Sequence, residues 1–415
     1  MQICVDLHSH SGYAGGVGDI QLKDIVNTMS YKGIDVFGTG DCLFPKRTKE
    51  LRHELKYEEN QLYKLNKADN QSFLLQTEVI FSVRLTGYKH KIVAHHIIFF
   101  PDFESIEKMA LLMTKWSQKN TIGRPFIVCE NQKQLEDRLF EIQNIHPLIE
   151  IIPAHIMTPD GLMGSKNMLT SMKEFYGQFF FHIHALETGL SADPEMLSQL
   201  NEINQLTMLS FSDCHSAALN RIGREFTVLD CEHKSYGSII QSIRQKKVVY
   251  TAEFNPAEGR YFLTGHRAGK NHHEKDLYYT EAIPQDHICP ICGKKLTIGV
   301  NDRCQMLQKN PINSQKYVHL IPLIDVLAYA LKQKSISSKK VIALYEIILK
   351  NFESEIDLWE TAETTMIQKL DKISDKRVVS CILAVKQQQF SYDPPGFDGM
   401  YGQLKINCKD NLSNV

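Results

Sequence analysis

Two short segments of the sequence place metal-binding side chains at alternate positions. In residues 3–10 the apolar side chains are odd-numbered, so on a β-strand Asp6, His8 and His10 lie on one face. Two imidazoles with this spacing can bind one cation. Asp213 and His215 repeat the arrangement at the end of another apolar run. The two segments together predict a metal site built at strand ends.

More carboxylates and imidazoles follow apolar runs elsewhere in the first 251 residues. They are Asp41, Glu78, His95, His96, His155 and Glu187. The carboxyl ends of the strands form the active-site face in α/β barrels, so we expect these side chains to converge there. His95 and His96 point to opposite faces of a strand, so only one of them can reach the site. Asp41 follows Thr-Gly and could equally form an Asx turn or cap a helix.

A mixture of neutral imidazoles and carboxylates favours zinc, manganese or iron. About eight candidate ligands, at roughly four protein ligands per ion, predict two or three ions. A bridging carboxylate is then needed, and we assign this role to Glu78. Such a centre lowers the pKa of bound water and neutralises charge on a phosphate oxygen, which predicts phosphoester hydrolysis. The candidate catalytic residues are Glu78, Asp213 and His215, and Glu187 either binds an ion or orients a ligand.

The chain contains three regions that differ in their pattern of apolar and polar residues, and these regions must position the candidate ligands. In residues 1–251 short apolar runs alternate with amphipathic stretches, which predicts βα units around a parallel sheet or barrel. Within this region the Lys- and Glu-rich residues 46–69 indicate a solvated helix. Residues 252–311 are irregular and rich in Gly, His and Pro, which indicates a small module. Residues 312–415 carry apolar side chains at helical spacing, which predicts a helical domain.

The small module contains the Cys289-x-x-Cys292 pair, which is half of a zinc site. The remaining ligands could be His266, His272, His273 or Cys304, and a metal-free turn with two reduced thiols is the alternative. Basic residues lie beside the pair, and Arg221 and Arg224 lie elsewhere. They could follow a DNA backbone, although solvated surface charge is the simpler interpretation.

The overall composition is that of an ordinary globular protein. The 415 residues include 47 Lys and Arg against 48 Asp and Glu, so the net charge of -1 argues against a bulk field for nucleic acid. The sequence lacks an apolar run of about 18 residues, and its ten cysteines are mostly isolated, so we expect a soluble cytoplasmic protein with reduced thiols and no membrane partner. Seventeen histidines against two tryptophans is the unusual feature.

Several motifs, taken in order, resemble the PHP (polymerase and histidinol phosphatase) superfamily. They are Asp6-Leu7-His8-Ser9-His10, Thr39-Gly40-Asp41, Thr77-Glu78, Pro153-Ala154-His155 and Ser212-Asp213-Cys214-His215. Other motifs resemble the endonuclease Q family within it. These are residues 185–194, Arg221-Ile222-Gly223-Arg224-Glu225, Gly265-His266-Arg267, residues 289–300 and residues 395–402. The resemblance covers nearly the whole chain.

The resemblance implies a fold, an activity and cofactors. The fold would be α/β, a PHP-type distorted (β/α)7 barrel with a small zinc-binding module and a C-terminal α-helical domain. The activity would be a DNA repair endonuclease that nicks the phosphodiester on the 5′ side of a deaminated base (uracil, hypoxanthine or xanthine) or an abasic site. The cofactors would be two or three zinc ions in the barrel and one in the module, with manganese or magnesium as an activating ion. DNA containing damaged bases would be the main partner, and a replication or repair protein a further one.

The resemblance also assigns residues to sites. The barrel ligands would be His8, His10, Asp41, Glu78, His96, His155, Asp213 and His215, with His96 chosen over His95. The module ligands would be Cys289, Cys292, His266 and His272. The residues contacting DNA would be Arg221, Arg224, Lys294 and Lys295.

Two departures from the family pattern keep alternatives open. Phe44 replaces a histidine after Thr-Gly-Asp, and Gly269 lies where the family carries a cysteine soon after Gly-His-Arg. A divergent homologue that acts as a DNA-binding scaffold is therefore one alternative. A PHP phosphoesterase that acts on a small phosphorylated metabolite or nucleotide is the other, although such a substrate does not require the regions after residue 251.

Overall fold

A computed structural model describes residues 1–15, 18, 20–269, 274–308 and 314–408. The chain combines strands and helices throughout, and the predicted mixed α/β class is confirmed. The narrower assignments, to a (β/α)7 barrel, a zinc module and a helical domain, stay predictions. Within the described ranges, every helix is too short or too polar to cross a membrane.

Seventeen strands are present in the described residues. They are β1 Gln2–Asp6, β2 Val36–Gly38, β3 Lys56–Tyr57, β4 Tyr63–Lys64, β5 Ser72–Val83, β6 Ile92–Phe100, β7 Phe126–Cys129, β8 Glu150–Pro153, β9 Ala185–Glu187, β10 Thr207–Leu209, β11 Phe226–Asp230, β12 Val248–Glu253, β13 Thr264–His266, β14 Leu277–Tyr279, β15 Tyr317–His319, β16 Phe390–Tyr392 and β17 Leu404–Ile406.

Thirteen α-helices lie in the same described ranges. They are α1 Leu22–Lys32, α2 Pro45–Glu54, α3 Phe103–Lys115, α4 Gln132–Gln143, α5 Lys173–Tyr176, α6 Pro194–Leu197, α7 Tyr236–Arg244, α8 Val300–Leu307, α9 Leu323–Ala330, α10 Lys339–Leu349, α11 Glu355–Glu360, α12 Glu363–Leu370 and α13 Lys376–Lys386.

The main sheet is mixed in direction. Its strands run in the order β15-β12-β11-β1-β2-β5-β4-β3, while β6 and β7 also pair with β5, and β8 pairs with β6. β1, β2 and β5 are parallel to one another, whereas β11 is antiparallel to β1 and β6 is antiparallel to β5. The expectation of a parallel sheet therefore holds only for part of it. The long β5–β6 hairpin is what brings Glu78 and the adjacent histidines together.

The charged segment after Asp41 is shorter as a helix than predicted. Helix α2 ends at Glu54, and β3 and β4 form a hairpin that pairs with β5 through Tyr63. Leu62 and Tyr63 are buried there, so apolar contacts with the sheet outweigh the charged composition of this segment. The prediction of one solvated helix over residues 46–69 is wrong beyond residue 54.

Helices α9–α13 pack around their own apolar core, which includes Leu323, Tyr345 and Leu358. A buried ion pair connects this core to the sheet region, because Lys32 Nζ at the end of α1 lies 2.7 Å from Glu355 Oε1 on α11. Lys32 also donates to the carbonyl of Leu219, which follows the second metal-binding motif. The helices therefore support the segment that carries Asp213 and His215.

The residues between β12 and α9 are tied to the rest of the protein by residues 394–402, here called the closing loop. The backbone N–H of Gly396 donates to Ala257, and that of Leu263 donates to Gly396. Asp398 accepts hydrogen bonds from Thr297 Oγ1 at 2.6 Å and from Arg267 N at 2.9 Å. The closing loop thus joins residues distant in sequence at the junction of the sheet and the small module.

Candidate metal centre

The two histidines after β1 each have one ring nitrogen held by a carboxylate. His8 Nδ1 lies 2.9 Å from Glu187 Oε1 at the end of β9, and His10 Nδ1 lies 3.2 Å from Asp41 Oδ1. The Nε2 atoms therefore face the interior of the site. Such a carboxylate fixes the tautomer and the orientation of a metal-binding imidazole.

Glu78 lies at the centre of the cluster and interacts with three imidazoles. Its Oε1 is 2.6 Å from His95 Nδ1 and 3.3 Å from His155 Nε2, while its Oε2 is 3.4 Å from His10 Nε2. Its side chain is 1% exposed. Glu78 would therefore be the carboxylate shared by two groups of metal-binding side chains, as the sequence-based assignment of a bridging role expects.

Asp213 and His215 complete the cluster. Asp213 Oδ1 lies 3.2 Å from His10 Nε2 and 3.7 Å from His8 Nε2. His215 Nδ1 is 2.9 Å from the carbonyl of Asp213, and its ring centroid is 4.7 Å from that of His10. His215 is the most exposed of these side chains, so it lies at the mouth of the site.

The donor set fits metal ions. Three groups of side chains each bring ligand atoms within 4.8 Å of one another: His8, His10 and Glu78; His10, Asp213 and His215; and Glu78, His95 and His155. Among the described residues, His8 Nε2, Glu78 Oε2 and Asp213 Oδ1 are buried without a hydrogen-bond partner. Buried polar atoms are normally paired, so these atoms point to ions as their partners.

The electrostatics of the centre also favour bound cations. Burial disfavours the imidazolium form of His8, but Glu187 and Asp213 outweigh burial and raise the pKa of His8 to about 9. Burial likewise opposes the charge on His10, yet Asp213 and Asp41 raise its pKa to about 10. Without ions, His8 and His10 are therefore protonated at neutral pH, and metal binding must displace these two protons.

The structure corrects the choice of His96. Its side chain points away from the cluster, where Nε2 lies 2.7 Å from the hydroxyl of Tyr176 and the ring packs against Phe81 and Phe175. His95 faces Glu78 instead. Successive side chains of β6 alternate between faces, and the register of β6 against β5 decides which face is inward.

The structure also corrects the prediction that Asp41 is a metal ligand, because both of its carboxylate oxygens face His10 and Ser11. Its Oδ1 faces His10 Nδ1, and its Oδ2 accepts hydrogen bonds from Ser11 N at 2.7 Å and Ser11 Oγ at 2.5 Å. With both oxygens occupied in this way, Asp41 orients His10. Phe44 lies beside Tyr13, with ring centroids 5.0 Å apart, and outside the three ligand groups.

Glu187 orients two parts of the centre. Besides His8, it accepts a hydrogen bond at 2.8 Å from the backbone N–H of His155 through Oε2. The following turn passes close to His155, because a Cβ added to Gly189 would lie 2.5 Å from His155 Cβ. The positive φ of 57° at Gly189 gives a second reason for glycine there.

The small module places three predicted zinc ligands together. His266, Cys289 and Cys292 bring their ligand atoms within 4.8 Å of one another. His266 Nε2 lies 2.8 Å from the carbonyl of Lys295, which directs Nδ1 to Cys292 Sγ at 3.6 Å. Burial opposes the Cys289 thiolate, but hydrogen bonds from Cys292 N and Ile291 N lower its pKa to about 6. A thiolate and a directed imidazole fit a zinc ion.

A tetrahedral zinc site needs a fourth ligand in addition to His266, Cys289 and Cys292, and Cys304, His272 and His273 were the other candidates. Cys304 is buried in α8 within the main apolar core, where burial raises its pKa to about 12. His272 and His273 lie outside the described residues.

The predicted DNA-binding residues differ in their surroundings. Lys294, Lys295 and Arg221 are exposed, and Lys295 lines a cavity of about 730 Å³ together with Lys166, Arg260 and Arg267. Arg224 directs Nε and one terminal nitrogen at the carbonyl of Ser212, at 3.0 and 2.8 Å. Arg224 thus supports the residue before Asp213. The sequence patterns did not assign Arg260 or Arg267 to DNA binding, because loops distant in sequence form this cavity.

Comparisons with known proteins point to one family. No family model matches the sequence. Over 230 residues the chain is 31% identical to MJ0043, an uncharacterized protein of Methanocaldococcus jannaschii, and the alignment covers 53% of this chain but 28% of that protein. The lesion-specific endonuclease PfuEndoQ of Pyrococcus furiosus has a similar structure, with a TM-score of 0.81 and 27% identity over 98% of this chain and 96% of that chain. This chain is therefore similar to endonuclease Q over nearly its whole length.

A second endonuclease Q structure extends the similarity to the whole chain. It is a complex with a 27-mer duplex substrate that has an abasic lesion at the active site. It matches with a TM-score of 0.81 and 27% identity, over 100% of this chain and 99% of that one. The likeness to endonuclease Q therefore includes the small module and the helices after it as well as the metal centre.

Proposed function

We propose that this protein is a metal-dependent DNA repair endonuclease. It nicks the phosphodiester on the 5′ side of deaminated bases (uracil, hypoxanthine and xanthine) and of abasic sites, by hydrolysis. The observation that carries the proposal is the cluster of three ligand groups around His10 and Glu78, in a chain that resembles an endonuclease bound to lesion-containing duplex over its full length.

The residues that would hold two or three ions are those of the three ligand groups: His8, His10, Glu78, His95, His155, Asp213 and His215. Zinc suits this donor set, with manganese or magnesium as the activating ion. Bound ions supply hydroxide at neutral pH and neutralise charge on the reacting phosphate. Glu78 and Asp213 balance the positive charge of the centre, and Glu187 and Asp41 keep His8 and His10 in their binding orientation.

A base extruded from the duplex has a suitable pocket beside the centre. A cavity of about 200 Å³ is lined by Thr158, Arg224, Phe254, Tyr261 and Tyr401. Thr158 Oγ1 lies 3.2 Å from His155 Nδ1, so this cavity begins next to the metal centre. Aromatic side chains and a guanidinium can stack on a flipped base, and a damaged base costs less to extrude than a paired one.

Three structural regions carry this function in our proposal. Residues 1–251 form the catalytic region, residues 252–311 form a zinc-binding module that contacts DNA, and residues 312–415 form a helical region that supports the segment with Asp213. The module would hold its ion with His266, Cys289 and Cys292 and a ligand beyond the described residues.

The test uses end-labelled duplexes that contain uracil, hypoxanthine, xanthine, an abasic site or only normal bases, incubated with the protein and manganese. We expect one nick on the 5′ side of each lesion and none in the normal duplex. Asp213→Asn removes the negative charge of this carboxylate with little change in the shape of the side chain. The variant should lose nicking activity and keep its fold, which circular dichroism checks.

Two results would contradict the proposal. Hydrolysis of p-nitrophenyl phosphate while every duplex stays intact would indicate a phosphoesterase for small substrates. Purified protein that binds no ions in the centre but still binds DNA would indicate a scaffold.

A further inference from the structure

We propose that Arg124 is a catalytic residue that binds a non-bridging oxygen of the phosphodiester being cleaved. This inference rests on the proposed function, because it assigns a substrate contact at the same centre. Arg124 lies in the loop before β7, which the sequence gives no reason to connect with metal-binding residues.

The loop holds Arg124 in a defined place at the edge of the centre. On one side, the backbone N–H of Gly123 donates to the carbonyl of Tyr13 at 2.7 Å. On the other side, the carbonyl of Pro125 accepts a hydrogen bond at 2.9 Å from Ile80, two residues after Glu78. Gly123 also packs on Asp41, since an added Cβ would lie 2.5 Å from Asp41 Cγ. Both neighbours of Arg124 are therefore anchored to elements of the metal centre.

The guanidinium group faces the central carboxylate. Arg124 Nη1 lies 3.5 Å from Glu78 Oε2, and the side chain is 29% exposed. Its Nε is buried without a hydrogen-bond partner among the described residues. At 3.5 Å the contact with Glu78 is an ion pair with poor hydrogen-bond geometry, so the donors of this guanidinium are largely unused.

The charges of the loaded centre determine what Arg124 binds. Glu78 belongs to two of the three ligand groups, so bound ions would neutralise its negative charge. A guanidinium beside divalent ions is repelled unless an anion lies between them. A phosphodiester supplies that anion, and the planar guanidinium can donate two hydrogen bonds to its oxygens.

This contact strengthens as the reaction proceeds. The oxygen of the attacking water forms a bond to phosphorus and releases one proton to the solvent, while the bond from phosphorus to the leaving sugar oxygen breaks and that oxygen takes up one proton from the solvent. In the transition state negative charge is spread over the equatorial oxygens, so a cation fixed beside them stabilises the transition state more than the bound substrate.

The test compares Arg124→Ala and Arg124→Lys with the wild-type protein on the abasic duplex and on bis(p-nitrophenyl) phosphate. We expect Arg124→Ala to lower kcat by about 10²- to 10³-fold with little change in KM for the duplex, and Arg124→Lys to be intermediate. Added millimolar guanidinium should restore part of the activity of Arg124→Ala, which loss of a merely structural arginine would not allow. Arg52→Ala is the control, because Arg52 lies on the surface beside Glu107.

A second measurement does not depend on turnover. Calorimetric titration of the manganese-loaded proteins with inorganic phosphate should show at least about tenfold weaker binding to Arg124→Ala, with an unchanged manganese content. Phosphate affinity and kcat that both stay within about threefold of wild type would overturn the proposal, as would loss of the ions themselves. If the wild type hydrolyses the small diester but nicks no duplex, the proposed function fails while Arg124 is still tested.

Discussion

Three residues of the metal centre have backbone angles that side chains other than glycine rarely adopt. The φ angle is 51° at Asp41, 31° at His155 and 45° at Asp213. Each such residue costs on the order of 1 to 3 kcal/mol, and each must be held by its surroundings. At each of these three positions a left-handed turn directs the side chain toward the centre, and ten other non-glycine residues of the described ranges also have a positive φ.

The two adjacent histidines of β6 provide a matched test of the centre. His95→Ala should weaken manganese binding by more than about 100-fold, because loss of a residue that only orients a ligand already costs 10- to 100-fold. His96→Ala should keep the manganese affinity and lower the free energy of unfolding by about 2 to 5 kcal/mol, since it empties a buried site beside Tyr176. Metal titration and urea unfolding measure the two effects. Equal loss of manganese affinity in both variants would contradict the assignment.

A buried pair of carboxyl groups near the junction predicts the pH dependence of stability. Burial raises the pKa of Glu253 from 4.5 to about 8, and burial together with Glu253 raises that of Glu225. The folded protein thus holds a proton on Glu253 that the unfolded chain releases, and this contribution to stability is lost as pH rises from about 4.5 to about 8.

Replacing Glu253 by glutamine should reduce this dependence to the part that Glu225 contributes. Glu253→Gln should match the wild type at pH 5 and be more stable at pH 9 by on the order of 1 to 3 kcal/mol, because the wild type must then bury a charge. Urea unfolding at the two pH values measures the difference, with the exposed Glu232→Gln as control. A variant that loses as much stability as the wild type between pH 5 and pH 9 would show that Glu253 does not titrate in this range.

How far the sequence predicts the site differs among its residues. Alternation along one strand fixes Asp6, His8 and His10 relative to each other, so local spacing sufficed for that motif. For His95 and His96 the deciding fact is which face of β6 is inward, and this depends on its pairing with β5. Arg124 was missed because a residue in a loop has no periodicity from which its direction can be inferred.

At the scale of elements, the contact between α1 and α11 joins the helical region to the metal centre. Lys32 and Glu355 are nearly inaccessible to solvent, and Glu355 also accepts hydrogen bonds from Leu323 N and from the hydroxyl of Tyr345. The apolar spacing of residues 323–386 predicts helices there, and the structure contains them. Local apolar spacing cannot predict the ion pair, because Lys32 and Glu355 are more than 300 residues apart in the sequence.

Breaking this ion pair should destabilise the protein strongly. Lys32→Met leaves the buried Glu355 carboxylate without its cation and should lower the free energy of unfolding by about 3 to 5 kcal/mol. The double variant Lys32→Met/Glu355→Gln should regain most of that loss, because the uncompensated charge is gone. Urea unfolding measures both, and Lys108→Met, in an exposed pair with Glu104, should leave the stability unchanged within the error of the measurement. Equal losses in the single and double variants would rule out this explanation.

At the scale of the whole molecule, charge is distributed unevenly although its total is close to zero. Lys166, Arg260, Arg267 and Lys295 line one cavity together with Asp160, Asp286 and Asp398, so the cavity has only a small excess of basic side chains. The net charge of -1 argued against nucleic acid, and the similarity to a DNA-bound endonuclease Q overrides that argument. The net charge does not show where charged side chains lie in the folded protein. Their location depends on how loops distant in sequence come together.

The salt dependence of DNA binding tests the basic cavity. Lys295→Ala and Arg267→Ala should each reduce the slope of log affinity against log salt concentration by about 1 if each side chain contacts one phosphate. The reduction should be the same for lesion and normal duplexes, since backbone contacts carry no sequence information. Fluorescence anisotropy in the Asp213→Asn background measures binding without cleavage. Lys115→Ala on α3, which packs against β6 and α4, should leave the slope unchanged.

The closing loop has a consequence for the order of folding during synthesis. Its hydrogen bonds join residues 394–402 to residues about 140 positions earlier, whereas His8, Glu78 and Asp213 are all present once roughly half of the chain exists. Domains generally fold in the order in which they leave the ribosome. A nascent chain therefore acquires its metal ligands long before the segment that completes the DNA-binding junction. If the proposed function is correct, a chain that lacks the closing loop holds ions before it can bind a duplex.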